Sequence, residues 1–150
     1  MSSVPFRLAV LDSSVVIKWF RAGESLRAHA LTLQAAYLDG LLDLALPDLL
    51  FHEVATALCH KPDLSADDVC NAVQSLYDMD MAIIRTDPGI SRQAVHLARQ
   101  YAVTVYDAVF LACAQHVTGT LVTADDIFFR KLRGHPSVFY LGDLALPPAT

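Results

Sequence analysis

Cysteine is scarce in this chain of 150 residues: Cys59, Cys70 and Cys113 form no C-x-x-C pair and leave one over from any disulfide scheme. A reducing cytoplasm is the setting this implies. Long apolar runs are also missing. Asp, Arg, Lys, Gly or Pro interrupts every one, so none is long enough to cross a bilayer. The start, Met1 to Arg7, lacks a basic segment followed by an apolar core and does not read as a signal peptide. Charge is low, with 18% charged against 54% hydrophobic residues, which excludes a disordered chain. The net charge of −5 argues against a general nucleic-acid coat, which needs a basic surface to displace counterions from phosphate. There is no P-loop, no G-x-G-x-x-G, no G-x-S-x-G, no internal repeat and no linker; only Pro147 to Thr150 reads as a loose tail.

What is present is alternation. Short apolar runs alternate with helical patterns, the sequence form of a single α/β domain over residues 1–150 with a largely parallel central sheet. Candidate strands are Phe6 to Leu11, Leu42 to Leu46, Met81 to Arg85, Thr120 to Val122 and Val138 to Leu141. Helix starts are marked by Ser13 or Ser14, by Pro47 at a first helical position, and by Ser65, Asp87-Pro88, Thr104 and Thr123. Gly40, Gly119 and Gly142 punctuate the pattern.

Four acids stand out because of their apolar company: Asp12, Glu53, Asp107 and Asp125. A carboxylate in such surroundings is costly unless something positive meets it. Asp12 and Asp125 closely follow candidate strands, and residues just beyond the carboxyl ends of strands converge on the crevice of an open α/β sheet. Both also lie near helix starts, where the dipole favours negative charge, so a turn-and-cap role is open for each. Glu53 has Leu49, Leu50, Thr56 and Ala57 at its helical offsets, which is no solvated face; the alternative is a buried ion pair with a distant Arg. Asp107 lies in the core-like segment Val105 to Ala114, yet Thr104-Val105-Tyr106-Asp107 also has capping-box spacing. That spacing recurs in Ser65 to Asp68 and Thr123 to Asp126, where a capping task is expected of Asp68 and Asp126.

Other acidic-site α/β classes fail at the first loop, Asp12-Ser13-Ser14-Val15-Val16. A dehalogenase-like phosphatase wants a second Asp where Ser14 stands. An integrin-type metal site wants D-x-S-x-S, and the fifth residue is Val16. A phosphate-accepting receiver domain wants paired acids at the first strand end and a late Lys, and neither is visible. The histidines, His29, His52, His60, His96, His116 and His135, show no H-x-x-x-H and offer no competing catalyst.

The chain resembles the PIN-domain nuclease family, in particular the short VapC-type toxins of toxin-antitoxin pairs. The resemblance covers nearly the whole chain. It rests on Val10-Leu11-Asp12-Ser13-Ser14 and the following Val15 to Phe20, on Glu53 in the helix after Leu46-Pro47-Asp48, on Tyr106-Asp107-Ala108-Val109-Phe110-Leu111-Ala112, and on Leu121-Val122-Thr123-Ala124-Asp125. Each motif alone is unspecific; four in order at suitable intervals are not. The resemblance implies an acidic quartet of Asp12, Glu53, Asp107 and Asp125, supported by the hydroxyls of Ser14 and Thr123, in a parallel sheet wrapped by helices on both sides. All-oxygen ligands suit Mg²⁺ or Mn²⁺ rather than Zn²⁺. The implied activity is hydrolysis of RNA to 5′-phosphate and 3′-hydroxyl ends, and the implied partners are a small antitoxin and a second copy in a homodimer. Trp19, Phe20, Leu31, Leu38 and Leu41 could supply apolar surface for either contact. Lys18, Arg21, Arg130, Lys131 and Arg133 are candidates for guiding phosphate, or are ordinary solvated charges. A PIN fold that only binds RNA or protein is the alternative. Four carboxylates crowded without metal would repel one another, which gives such a module little reason to keep them.

Overall fold

A computed structural model describes residues 4–148. All five expected strands form, as β1 (Leu8–Leu11), β2 (Asp43–Pro47), β3 (Ala82–Ile84), β4 (Thr120–Thr123) and β5 (Val138–Tyr140). They pair in parallel in the order β3-β2-β1-β4-β5. The central strand β1 has Ala9, Val10 and Leu11 fully buried in succession. Consecutive burial rather than alternation is what a parallel sheet covered on both faces requires. The connections are helical: α1 (Ser13–Val16) runs into a 3-10 turn at Ile17–Trp19 and then α2 (Arg27–Leu38); α3 (Leu49–Cys59) and α4 (Ala66–Asp78) follow β2; α5 (Pro88–Tyr101) and α6 (Val105–His116) follow β3; α7 (Asp126–Lys131) follows β4. Among the described residues no helix is long and apolar enough to cross a membrane.

Helix α6 is the centrepiece, packing on β1, β2 and β4 with Phe110 to Ala114 all buried. Burying Phe110 and Leu111 completely stabilises the fold by about 1.5–3 kcal/mol each. Cys113 lies in the same stretch, and burial lifts its thiol to about 11, whereas Cys59 and Cys70 are exposed. The expected starts of α4 and α5 hold. Ser65 and Asp68 make a reciprocal capping box, and Asp87 accepts the amide of Ile90 with Pro88 in the first turn. Gly119 enters β4 so close to β1 that an added Cβ would stand 3.0 Å from the Leu8 carbonyl oxygen.

Three expectations are corrected. Pro47 does not open a helix; it closes β2 in register with Ile84, and α3 begins at Leu49. Proline's fixed φ suits the end of an extended segment as well as a first helical turn, and burial beside β3 decides. Trp19 is no surface residue: the 3-10 turn carries its ring into the core, 6% exposed, where the indole N–H donates to the Ala30 carbonyl at 2.9 Å. Thr123 does not cap the last crossover helix, because α7 starts later and its cap is Asp125. Residues 1–3 and the tail's Ala149 and Thr150 lie outside the described residues, and Pro147 and Pro148 are irregular.

Candidate active site at the carboxyl edge of the sheet

From β1 the strand order runs one way to β2 and β3 and the other way to β4 and β5, so β1 and β4 flank the switch point where a crevice opens beyond their carboxyl ends. Asp12 follows β1 directly and Asp125 stands just beyond β4. The two loops are stitched together. The Asp12 amide donates to the Val122 carbonyl at 3.3 Å, and the Ala124 amide donates to Ser14 Oγ at 2.8 Å. Ser14 Oγ in turn donates to Asp12 Oδ1 and lies 3.3 Å from Thr123 Oγ1. The expected supporting hydroxyls of Ser14 and Thr123 thus sit around Asp12, and Thr123 is fully buried.

Asp12 is also the N-cap of α1, its Oδ1 accepting the Ser14 amide at 3.1 Å. The cap was expected from Ser13 or Ser14; the structure gives it to the acid, so Asp12 holds both places that its sequence position left open. Burial pushes its carboxyl up to about 6, against the opposing hydroxyls of Ser14 and Thr123, and the charges of Asp107 and Asp125 push it further up. Glu53, half-buried on α3, is raised by burial and by the charge of Asp107, with the Ser13 hydroxyl opposing. Asp107 is raised by burial and by Asp125, while the Thr104 hydroxyl and Lys131 lower it. Asp107 and Asp125 thus bear on Asp12, Asp107 on Glu53, and Asp125 on Asp107, each from a separate element. None of them makes an ion pair among the described residues, whose salt bridges are Arg21 with Asp63 and Arg130 with Asp126.

Only half of the capping box expected at α6 is made: Thr104 Oγ1 accepts the Asp107 amide at 3.1 Å, and the Asp107 carboxylate does not return the bond. At α7 the cap lies two residues beyond the expected Thr123. Asp125 Oδ1 accepts the Phe128 amide at 3.0 Å as the cap, and Asp126 instead pairs with Arg130 one turn on. As the side chains stand, no three acidic, imidazole or thiol groups among the described residues enclose a common point. The carboxylates of Asp12 and Asp125 are turned toward backbone amides that they cap. The donor chemistry nevertheless suits a hard divalent cation: oxygen ligands only, mutually repelling, one of them buried without a cation.

One role escaped the sequence reading. Ser13, expected only as a cap, eases the charge of Glu53. Lys131 donates to the Ala102 carbonyl at 3.2 Å and bears on Asp107, whereas Arg21 and Arg130 are taken up by Asp63 and Asp126. Position on a helix after an acid was the one signal available for Lys131. Nothing local marked Ser13.

A five-stranded parallel sheet with acids gathered at its switch point is the architecture of a PIN domain. The PIN domain family profile matches residues 9–134, and the chain belongs to that family. Within it, the chain is similar to ribonuclease VapC3 of Pyrobaculum aerophilum, 30% identical over 121 residues that cover 77% of this chain and 88% of that protein. Among solved structures it is similar to a toxin-antitoxin complex from Klebsiella pneumoniae, with TM-score 0.63 and 21% identity over 89% of this chain and 97% of the other. It also matches VapC20 of Mycobacterium tuberculosis, described as a sarcin-ricin loop cleaving toxin, with TM-score 0.65 and 13% identity over 81% and 93% of the two chains. At these identities the structural likeness speaks for the fold.

Proposed function

We propose that the chain, a single PIN domain over its 150 residues, is a cytoplasmic endoribonuclease dependent on Mg²⁺ or Mn²⁺ and the toxin of a toxin-antitoxin pair. The observation that carries this reading is Asp12: buried at the switch point, without a cation, and pushed up to about 6 with Asp107 and Asp125 bearing on it. Similarity to a ribonuclease and to toxin-antitoxin structures supports the same reading.

Asp12, Glu53, Asp107 and Asp125 would hold the ion. When bound, it supplies Lewis acidity at the phosphoryl group and neutralises charge that develops there. The chain's own residues do the rest. Ser14 and Thr123 fix the Asp12 carboxylate. The attacking water gives its proton to solvent as its oxygen bonds to phosphorus and the bond to the 3′ oxygen breaks. The 3′ oxygen leaves as a hydroxyl with a proton from solvent, and the phosphate stays on the 5′ side. The reading includes an antitoxin and a homodimer; the exposed Leu38 and Leu41 on and after α2 are apolar surface for such contacts.

The test is cleavage of cellular RNA by purified protein with Mg²⁺ or Mn²⁺, and growth of a bacterial host expressing the chain alone. Metal-dependent cutting and slowed growth, both lost in Asp12→Asn, are expected. Protein that binds RNA or an antitoxin and cuts nothing would assign the fold to a binding module.

A further inference from the structure

Three of the acids line two open depressions of different character. One, of about 370 Å³, is lined by Thr104, Asp107, Asp125, Ile127 and Lys131. The other, of about 480 Å³, lies between α3 and the start of α6, where Ser13, Leu49, His52, Glu53, Thr56 and Tyr106 face it. Glu53 belongs to the acidic group, so whatever fills this second cavity stands beside the reacting bond.

Tyr106 is unusual within the chain. It immediately precedes Asp107 and is 65% exposed. The other four tyrosines are engaged: Tyr37 donates its hydroxyl to the Met79 carbonyl, Tyr77 stacks on Phe51, Tyr101 meets His135 edge-on and Tyr140 packs on Phe129. Among the described residues the Tyr106 side chain makes neither a hydrogen bond nor a ring contact, and it lines a cavity that also holds the exposed imidazole of His52. The nearby positive charge is limited. Arg21 and Arg130 are paired with acids, and Lys131 lines the first cavity rather than the second. In the second cavity base stacking on an aromatic ring is the contact on offer, and it tolerates any sequence.

We propose that Tyr106 is the platform on which the nucleobase next to the cleaved phosphodiester stacks, with the cavity between α3 and α6 as its pocket. This rests on the ribonuclease reading and adds to it the residue that seats the substrate. An unpaired base is required, so single-stranded RNA is the preferred form.

The experiment uses the full chain and a short dye-labelled single-stranded RNA of mixed sequence, with anisotropy in Ca²⁺ for binding and Mn²⁺ for cleavage. Tyr106→Ala should weaken binding and raise KM on the order of tenfold, with kcat at saturation little changed and an unaltered thermal melt. Tyr106→Phe, which keeps the ring, should recover most of the affinity. Tyr106→Ala that binds and cuts as the parent does, or Tyr106→Phe as damaging as Tyr106→Ala, overturns the proposal. So does a variant that loses only a protein partner, which would give the cavity to that partner. A parent chain that binds RNA in Ca²⁺ but cuts none in Mn²⁺ or Mg²⁺ overturns the nuclease reading alone, and the anisotropy of the two variants then still decides for or against stacking. A parent that binds no RNA overturns both.

Discussion

Helices α4 and α5 begin with the same device as α1, α6 and α7, a polar side chain closing the first turn, yet the two groups of helix starts have opposite electrostatics. At α4 and α5 the acids Asp68 and Asp87 are exposed and bonded to amides at 2.8 Å, and each has done its work once the helix is capped. At α1, α6 and α7 the acids lie at the carboxyl edge of the sheet, where Asp107 and Asp125 bear on Asp12 and Asp125 bears on Asp107. A cap contributes stability wherever it occurs. What marks a site is a carboxylate whose charge remains a liability after the cap is made.

The comparison is tested most severely by activity. Asp12→Asn or Asp107→Asn should reduce cleavage to background, whereas Ser65→Ala should leave the rate of RNA cleavage per folded molecule as it was. Equal loss from both groups would erase the distinction. Next in size is pH dependence. The Asp12 carboxyl moves from an ordinary 3.8 to about 6 in the fold, so between those values the folded chain binds more protons than the unfolded one. Its contribution to stability therefore falls as pH rises through that window and is level above it, a change of roughly 3 kcal/mol. Thermal melts in chelator should show Asp12→Asn gaining on the parent as pH rises from about 4 to 7. If Asp12→Asn instead loses several kcal/mol, Asp12 is the partner of a buried cation and the contrast fails.

Smaller effects sharpen the same contrast. Ser65→Ala removes one side of a capping box and should lower stability by about 0.5–2 kcal/mol in denaturant titration. Smallest of all, Asp126→Ala removes an exposed pair with Arg130 and should cost at most about 0.5 kcal/mol with Mn²⁺ binding unchanged. Asp125→Ala, read by the same Mn²⁺ titration, should lose the ion. The reverse pattern would exchange their roles.

Much of this was legible in the chain. All five strands were, because short apolar runs bounded by turn formers have few other uses in a small α/β domain. The caps Ser65, Asp87 and Thr104 were legible because capping is local. The missed features depend on distant partners. Trp19 turns inward toward a carbonyl eleven residues away, and Pro47 ends β2 because Ile84 lies beside it. The shift of the α7 cap from Thr123 to Asp125 goes with the bonds of Ser14 and Thr123 that hold the residues ahead of the helix in an extended path. Sequence order brings the four acids into view, but their mutual influence depends on α6 packing against β1 and on α3 packing against α1.

Cys113 lends the molecule a clock. Its thiol sits in α6, six residues beyond Asp107, fully buried and held protonated by a value near 11, while Cys59 and Cys70 are open to reagent. Only the thiolate attacks a disulfide or alkylating reagent, so in the native chain two sulfurs respond promptly and the third waits for the helix to open. The lag of that third modification times the breathing of the helix that carries Asp107. An ion or an antitoxin that braces the crevice would lengthen it, so occupancy could be followed by counting sulfurs, with no RNA in the tube.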